Sequence, residues 1–208
     1  MVRRHDRGFF GGLIVFPGGG VDDVDRSPLA SSLVIGDHDD QDHRSAALRE
    51  LAEETGILAV AHGMESAPDL RGQPLFEDLR KNGVRLSGDS LVMVSRWVTP
   101  EIAPRRFDTR FYLLATSSSP TVRLDSAELV HHYWITPDAA IDKHENDDWP
   151  MILPTLAHLR WLSRRSSVDD AIDSARGADG RTLIKPVMAE DGALIPVHLP
   201  ESSLEGPL

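Results

Sequence analysis

The most regular pattern in this chain is the segment 42–55, where apolar and acidic positions separate onto two sides of a helix. At about 100° per residue, three apolar side chains share one arc: Ala47, Leu48 and Leu51. Three carboxylates share a different arc, because they stand at positions i, i+3 and i+4: Glu50, Glu53 and Glu54. The pattern predicts an amphipathic helix that ends before Gly56, a residue type that favours the positive φ found just past a helix end.

The rest of the chain divides into further short strands, helices and loops. Strands are predicted at five places: 12–16, 57–61, 90–99, 110–115 and 129–136. Helices are predicted at four more places: 75–81, a short segment from Pro137, a segment from Pro154, and 168–175. Residues 182–188 and 193–198 predict a hairpin around Asp191 and Gly192, and the Gly/Pro-rich residues 63–73 predict a loop.

The three glutamates on one helix face carry the first candidate chemistry. Like charges at these spacings repel and destabilise a helix by roughly a few tenths of a kcal/mol per pair, unless a cation lies between them. A hard divalent ion, Mg2+ or Mn2+, suits an all-oxygen ligand set of this kind. A solvated acidic helix face is the alternative interpretation, because acid-rich helices are common.

A glycine-rich loop precedes this helix in the chain. Phe16 and Pro17 lead into Gly18, Gly19 and Gly20 at the end of the predicted strand 12–16. Glycines lack a Cβ atom and let the backbone approach a ligand closely. Alone, the loop is equally consistent with a plain turn, but its combination with the acidic helix favours a ligand-binding role.

The two segments together resemble the Nudix box, the signature of the Nudix (MutT-like) pyrophosphohydrolases. That signature is Gly-x5-Glu-x7-Arg-Glu-U-x-Glu-Glu-x-Gly-U, in which U is a bulky aliphatic residue. The segment from Arg49 to Ile57 matches every specified position of the second half. The segment 16–19 resembles the "FPGG" entry to the box, and Asp25 stands where the family has its first glutamate.

An insertion separates the two halves of the box. Between Asp25 and the next matched arginine lie 23 residues, so that the insertion of about 16 residues covers about 26–40. The acids and histidine of segment 37–40 have two interpretations: a second metal site, or a solvated loop whose Asp40 or Asp42 caps the following helix. The solvated loop is favoured, and the role of Asp25 stays open.

Further motifs resemble one subgroup of the family. Segment 96–111 resembles a signature of a subgroup with a long insertion in the box, which includes the peroxisomal coenzyme A diphosphatases of animals and actinobacterial relatives. Segment 12–19 resembles the end of the coenzyme A diphosphatase motif. The arginine of the coenzyme A motif is replaced by Gly8, which follows Arg7. Glu128 resembles the additional glutamate that many family members supply as a ligand or base, and an exposed loop acid is the alternative interpretation.

The resemblance implies metal-assisted hydrolysis of a diphosphate. Mg2+, with Mn2+ as a substitute, would be held by four groups: the side chains of Glu50, Glu53 and Glu54 and the backbone carbonyl of Gly19. Three carboxylates are candidates for the general base: Glu53, Glu54 and Glu128. Arg49 is expected to orient the glutamates through charge-assisted hydrogen bonds. Four residues are expected to contact the substrate: Gly18, Gly19, Gly20 and Arg106. For Arg106, pairing with another residue of the sheet is an equally good interpretation.

The resemblance also implies the fold, an α/β/α sandwich with a mixed central sheet. Family members have a strand before the segment that matches residues 2–4, so we expect this first strand to be missing through a late start. Such an open sheet edge favours a homodimer. Residues 1–163 are expected to form the Nudix domain, and residues 164–208 a C-terminal extension with a helix and a hairpin, packed on or beside it.

The composition of the chain excludes some kinds of site and argues against some classes of binding partner. The 208 residues include no cysteine, which excludes disulfides, thiolate metal sites and a cysteine nucleophile. The net charge of −11 argues against a nucleic acid or an anionic membrane as partner. No apolar run approaches the ~18 residues of a membrane span, and glycines break the N-terminal apolar stretch that imitates a signal peptide. We therefore expect a cytoplasmic protein.

Two functions follow as expectations. The first is a pyrophosphohydrolase acting on a small-molecule nucleoside diphosphate derivative, with coenzyme A or an acyl-CoA as the leading candidate. The second is a Nudix-fold nucleotide-binding or regulatory module without turnover. The intact glutamates favour the first function, and the missing first strand favours the second.

Overall fold

The computed structural model describes residues 1–7, 11–100, 105–116, 120–177, 183–189 and 194–199. The chain divides into two compact units, residues 1–91 with 116–164, and residues 92–115 with 165–208. The predicted division into a Nudix domain, residues 1–163, and an extension, residues 164–208, stays a prediction. In the described part of the chain, no helix combines the length and the apolar character that crossing a membrane requires.

Strands and helices are mixed along the described chain. The strands are β1 (Val2–Arg4), β2 (Ile14–Val15), β3 (Ile57–Val60), β4 (Gly63–Ser66), β5 (Val92–Val98), β6 (Asp108–Leu113), β7 (Leu129–His132), β8 (Leu183–Met188) and β9 (Leu194–Leu199). The α-helices are α1 (Pro28–Leu33), α2 (Gln41–Thr55), α3 (Gly72–Lys81), α4 (Pro137–Asn146), α5 (Leu153–Leu162) and α6 (Val168–Gly177).

A three-stranded antiparallel sheet, in the order β2-β1-β7, lies in the first unit. Ile14 of β2 is fully buried in a core cluster with three residues from α4, α5 and the connection between them: Ala140, Trp149 and Leu159. Strand β1 therefore has a partner strand on each side, and the chain leaves β2 directly into the glycine-rich loop. The expectations of a missing first strand and of a homodimer stay predictions.

Helix α2 forms where the pattern predicts it and ends in a left-handed residue. Ala46, Leu48 and Ala52 are buried, and the backbone of Gly56 has a φ of 69°. A Cβ atom on Gly56 would lie 2.9 Å from the Cβ atom of Arg123, so that both the conformation and the space require glycine. The helix end is therefore fixed, and β3 follows at once.

The insertion is partly folded. A 3-10 turn (Asp23–Arg26) leads into α1, a helix that the sequence analysis did not predict and whose N-terminus is capped by the hydroxyl of Ser27. Val34 is buried and bridges to Leu86. Residues 37–40 form the predicted loop, and Asp40 is the N-cap of α2, but its side chain makes no capping bond there and accepts a hydrogen bond from Nε of Arg44 at 2.7 Å.

Two predictions about the first unit are wrong in detail. Residues 63–66, predicted as loop, form β4 and pair with β3; their mostly exposed side chains give no apolar alternation that would mark a strand. The strand predicted at 129–136 ends at His132, and Thr136 caps the following helix by accepting a hydrogen bond from the backbone N–H of Ala139.

The second unit contains a mixed sheet in the order β6-β5-β8-β9. Strands β5 and β8 are parallel, whereas β5 with β6 and β8 with β9 are antiparallel. The predicted C-terminal hairpin is confirmed by the pairing of β8 with β9; its turn at residues 190–193 lies outside the described residues.

Candidate active site

Helix α2 carries the three glutamates that the sequence pattern singled out. Glu50, Glu53 and Glu54 share one face of this helix. The exposed fraction of the side chain is 15% for Glu50, 7% for Glu53 and 3% for Glu54. Carboxylates buried to this degree need hydrogen-bond donors or cations around them. The donors come from Arg49, the glycine-rich loop, β1 and the start of α3.

Arg49 is only 2% exposed and connects the glutamates with the glycine-rich loop and Asp25. Its Nη1 atom donates to Glu50 at 2.9 Å and to Glu53 at 3.3 Å. Its Nη2 atom donates to the backbone carbonyl of Gly20 at 2.9 Å and to the carboxylate of Asp25 at 2.9 Å. Burial alone lowers the pKa of this guanidinium, but the hydrogen bond to Asp25 and the charges of Glu50 and Glu53 raise the pKa above its usual value.

Asp25 is the buried counter-ion of Arg49. Its carboxylate also accepts a hydrogen bond from the hydroxyl of Ser45 at 3.2 Å and from the backbone of Asp22 at 2.9 Å. The side chain is fully buried, and these donors together with the guanidinium compensate its charge. The position that the sequence left open thus has a structural role beside the glutamates.

Glu54 is held by the glycine-rich loop and by β1. The backbone N–H of Gly18 donates to its Oε2 atom at 2.9 Å. The Nη1 atom of Arg4 lies 3.6 Å from its Oε1 atom. The loop that follows β2 is therefore fastened to the acidic face of α2.

Glu53 is held from two sides. Its Oε2 atom accepts from Arg49, and its Oε1 atom accepts from the backbone N–H of Gly72 at 2.8 Å. Gly72 is the first residue of α3, where backbone N–H groups have no partner within the helix and the helix dipole favours a negative charge. The start of α3 therefore fixes one oxygen of this carboxylate.

Gly19 makes the closest approach between the loop and the helix. A Cβ atom on this residue would lie 2.3 Å from the Oε1 atom of Glu50, far inside contact distance. The same construction at Gly20 meets nothing within 4 Å. The absence of a side chain at position 19 thus lets the backbone lie directly against the carboxylate.

Glu128 stands just before β7 and is partly exposed. Its Oε2 atom lies 3.5 Å from Nη2 of Arg4, and its Oε1 atom lies 3.4 Å from Nη1 of Arg71. Arg71 also pairs with Asp125. Arg4 therefore connects Glu128 with Glu54, and the fourth candidate carboxylate belongs to the same network.

The carboxylates influence one another through their charges. The pKa of Glu54 is raised to about 7 as a net result: burial raises it most, the Gly18 N–H and the charge of Arg4 lower it, and the charges of Glu50 and Glu128 raise it. Burial also raises the pKa of Glu50, against the lowering effect of Arg49. A site that makes its own carboxylates harder to ionise favours a cation, because the cation relieves the repulsion.

The donor set fits a hard divalent cation. The site offers several carboxylates and a nearby backbone carbonyl, and it contains no sulfur. Mg2+ and Mn2+ bind such oxygen ligands in proteins. Among the residues that the structure describes, no three His, Asp or Glu side chains are arranged as a metal site. Glu50, Glu53, Glu54 and the Gly19 carbonyl stay the predicted ligands.

Eight of the predicted site residues lie in the first unit and form one connected network: Gly18, Gly19, Gly20, Arg49, Glu50, Glu53, Glu54 and Glu128. Arg106 is exposed and lies in the second unit, so its contact with a substrate stays a prediction. The sequence analysis missed Arg4, Arg71 and Gly72. No local pattern marks these residues, because their partners are far away in the sequence.

Comparison with known proteins agrees with this geometry. The NUDIX domain family model matches residues 1–153. A curated relative, "Putative nudix hydrolase 7" of Caenorhabditis elegans, is 32% identical over 165 residues, which cover 75% of this chain and 52% of the relative. A second, "Acyl-coenzyme A diphosphatase NUDT19" of Gallus gallus, is 28% identical over 204 residues, covering 81% of this chain and 53% of the relative. The chain thus spans about half the length of these curated relatives.

A solved structure extends the comparison to the fold. The crystal structure of a NUDIX hydrolase from Alicyclobacillus acidocaldarius matches with a TM-score of 0.71 and 29% sequence identity. The match covers 83% of this chain and 86% of that one. The predicted α/β fold class is therefore confirmed.

Proposed function

This chain belongs to the NUDIX family, and from that premise we propose that it hydrolyses the diphosphate linkage of a nucleoside diphosphate derivative in a Mg2+-dependent reaction. One observation carries the proposal: the glycine-rich loop lies against an acidic helix face, with Gly18 bonded to Glu54, Gly20 to Arg49, and Gly19 in contact range of Glu50. The carboxylates would hold the cation and the loop backbone would approach the phosphates.

A divalent cation in this site would neutralise charge on the phosphate oxygens and make a water molecule easier to deprotonate. The residues of the chain prepare the site for it. Arg49 orients Glu50 and Glu53, the backbone of Gly72 fixes the second oxygen of Glu53, and the backbone of Gly18 orients Glu54. Carboxylates that are already fixed by hydrogen bonds lose little conformational entropy when they bind a ligand.

The proton of the attacking water goes to one of three carboxylates: Glu53, Glu54 or Glu128. We favour Glu54, because its pKa in the protein without a bound cation is about 7, near the neutral pH at which a general base is most effective. Its burial supports the same choice, since a buried carboxylate gains most from accepting a proton.

Coenzyme A or an acyl-CoA is our leading substrate candidate. Its support is the similarity to the Gallus gallus relative named as an acyl-coenzyme A diphosphatase, together with the long insertion between the two halves of the box. The proposed substrate is a small molecule, and neither a nucleic acid nor a membrane is proposed as a partner, in agreement with the net charge of −11.

A substrate panel tests the proposal. The protein is incubated with Mg2+ and, separately, with coenzyme A, an acyl-CoA, ADP-ribose, NADH, diadenosine polyphosphates and oxidised dNTPs, and the products are separated by chromatography. We expect cleavage of the diphosphate in at least one compound, with coenzyme A or the acyl-CoA preferred. Tight binding of a panel compound with no product above background would support the alternative, a binding or regulatory module without turnover.

A further inference from the structure

Two arginines that the proposed mechanism does not use lie on either side of Glu128. The Nη2 atom of Arg4 is 3.5 Å from one carboxylate oxygen, and the Nη1 atom of Arg71 is 3.4 Å from the other. Arg4 is in β1 and Arg71 precedes α3, so two separate segments bring their guanidinium groups to one carboxylate. The two guanidinium groups form an anion-binding site that the Glu128 carboxylate occupies.

The two contacts are weak enough to be exchanged. Both distances are at the long end of the range for hydrogen bonds between charged groups, where well-formed pairs are ~2.7–2.9 Å. The exposed fraction of the side chain is 30% for Arg4, 49% for Arg71 and 42% for Glu128. Exposed ion pairs contribute little to stability. Glu128 can therefore leave this position without a large loss of folding free energy.

The guanidinium of Arg4 and the backbone that follows Arg71 both contact the acidic face of α2. Arg4 lies 3.6 Å from Glu54, and Arg71 is followed by Gly72, whose N–H group holds Glu53. An anion between Arg4 and Arg71 would thus lie next to the carboxylates that are proposed to hold the cation. A guanidinium presents several N–H donors in one plane and suits phosphate oxygens, which gives this position the chemistry of a phosphate site.

We propose that Arg4 and Arg71 bind oxygens of the substrate's diphosphate, and that Glu128 occupies their anion site until the diphosphate displaces it. This inference rests on the proposed function and adds two substrate-binding residues to it. It also gives Glu128 a second role, because the displaced carboxylate becomes available to the cation or to the attacking water. Asp125, which pairs with Arg71, keeps that side chain in position during the exchange.

Binding of methylenediphosphonate tests the proposal without turnover, because its P–C–P linkage is not hydrolysed. Titration calorimetry in Mg2+ compares the wild type with Arg4→Gln, Arg71→Gln and a matched control, Arg123→Gln. Arg123 is exposed like Arg71, but its guanidinium contacts Asp69 and the backbone carbonyls of Ala67 and Pro68 and not a glutamate. We expect Kd to rise about tenfold in each of the first two variants and to change less than about twofold in the control. Arg71→Lys, which keeps the charge, should lie in between.

A second arm removes the competing carboxylate. In metal-free buffer with EDTA, Glu128→Gln should bind methylenediphosphonate at least about threefold more tightly than the wild type, because the Glu128 carboxylate no longer competes with the probe for the two arginines. Thermal denaturation of every variant confirms that it is folded. The inference is overturned if Arg4→Gln and Arg71→Gln bind like Arg123→Gln, if Glu128→Gln does not bind more tightly, or if the folded wild type does not bind the probe in Mg2+.

The proposed function is tested separately by hydrolysis. Unchanged probe binding in the arginine variants of an active enzyme would reject only the arginine site. No product above background from any compound of the substrate panel would reject the proposed function, whatever the arginine variants do.

Discussion

The guanidinium of Arg49 and the carboxylate of Asp25 form a buried two-point ion pair, with Nε 3.1 Å from Oδ1 and Nη2 2.9 Å from Oδ2. Asp25 lies before the insertion in the chain and Arg49 lies after it. The pair therefore joins the two ends of the inserted segment, next to the contact between the glycine-rich loop and the acidic helix. The same guanidinium orients Glu50 and Glu53, which connects the ion pair to the proposed chemistry.

Replacing Asp25 tests this pairing. Asp25→Asn leaves the positive charge of Arg49 buried without its main counter-ion, which should lower the free energy of unfolding by about 3 kcal/mol. The measurement is urea denaturation at neutral pH. The control is Asp23→Asn in the same 3-10 turn, where the side chain is exposed and a change within about 0.5 kcal/mol is expected. Equal stability of the two variants would contradict the role given to Asp25.

The raised pKa of Glu54 should make the free energy of unfolding depend on pH. Its pKa is raised from 4.5 to about 7 in the folded protein. Between these values the folded state keeps a proton that the unfolded chain has released, so the free energy of unfolding falls as the pH rises through this window. The loss in metal-free buffer should be on the order of 3 kcal/mol between pH 4.5 and 7.5.

The variant Glu54→Gln isolates this contribution, because it cannot ionise. Denaturation midpoints measured from pH 4.5 to 7.5 should decline less steeply in Glu54→Gln than in the wild type. Glu65→Gln, an exposed position on β4, serves as the control and should follow the wild type. A Glu54→Gln profile parallel to that of the wild type would show that this carboxylate is not the titrating group.

Gly19 predicts a steric effect that is confined to the site. In Gly19→Ala the new Cβ atom would lie 2.3 Å from Oε1 of Glu50 and would force that carboxylate away from Arg49. Because the carboxylate ends a flexible side chain, we expect kcat to fall about tenfold with little change in Tm. Gly20→Ala adds a Cβ atom to open space and should lose much less activity. Equal losses in the two variants would argue against close contact at position 19.

Divalent cations should stabilise the folded protein. A cation bound by the glutamates favours the native state by mass action, so 10 mM Mg2+ should raise the wild-type Tm by about 3 °C. In Glu50→Gln the shift should be much smaller, whereas Glu65→Gln should keep it. Differential scanning calorimetry with and without EDTA makes the comparison. The same Mg2+ shift in all three proteins would place the cation elsewhere.

The acidic helix could be predicted because its signals are local. The spacing of Glu50, Glu53 and Glu54 and the glycine at the helix end act within a few turns, and the structure has the helix at Gln41–Thr55. The glycine-rich loop could be assigned to the same site only through its resemblance to the family signature, since a turn and a binding loop have the same local chemistry.

The partners of the glutamates could not be predicted from local patterns. Arg4 is 50 positions from Glu54 in the sequence and Gly72 is 19 positions from Glu53. An isolated arginine or glycine carries no periodicity, so only the fold brings it to the site. Helix α1 was missed for a related reason: it has six residues, too few for a helical repeat to be distinguished from a loop.

The most direct test of the central claim is the steady-state activity of Glu53→Gln on the best substrate of the panel, in Mg2+. The substitution keeps the shape of the side chain and removes the charge proposed to hold the cation. We predict a kcat at least about 100-fold below that of the wild type, with both proteins folded and Tm values within a few degrees. Wild-type activity in Glu53→Gln would contradict the proposed role of Glu53 in holding the cation, and a collapse of Tm in parallel with activity would show that Glu53 is structural instead.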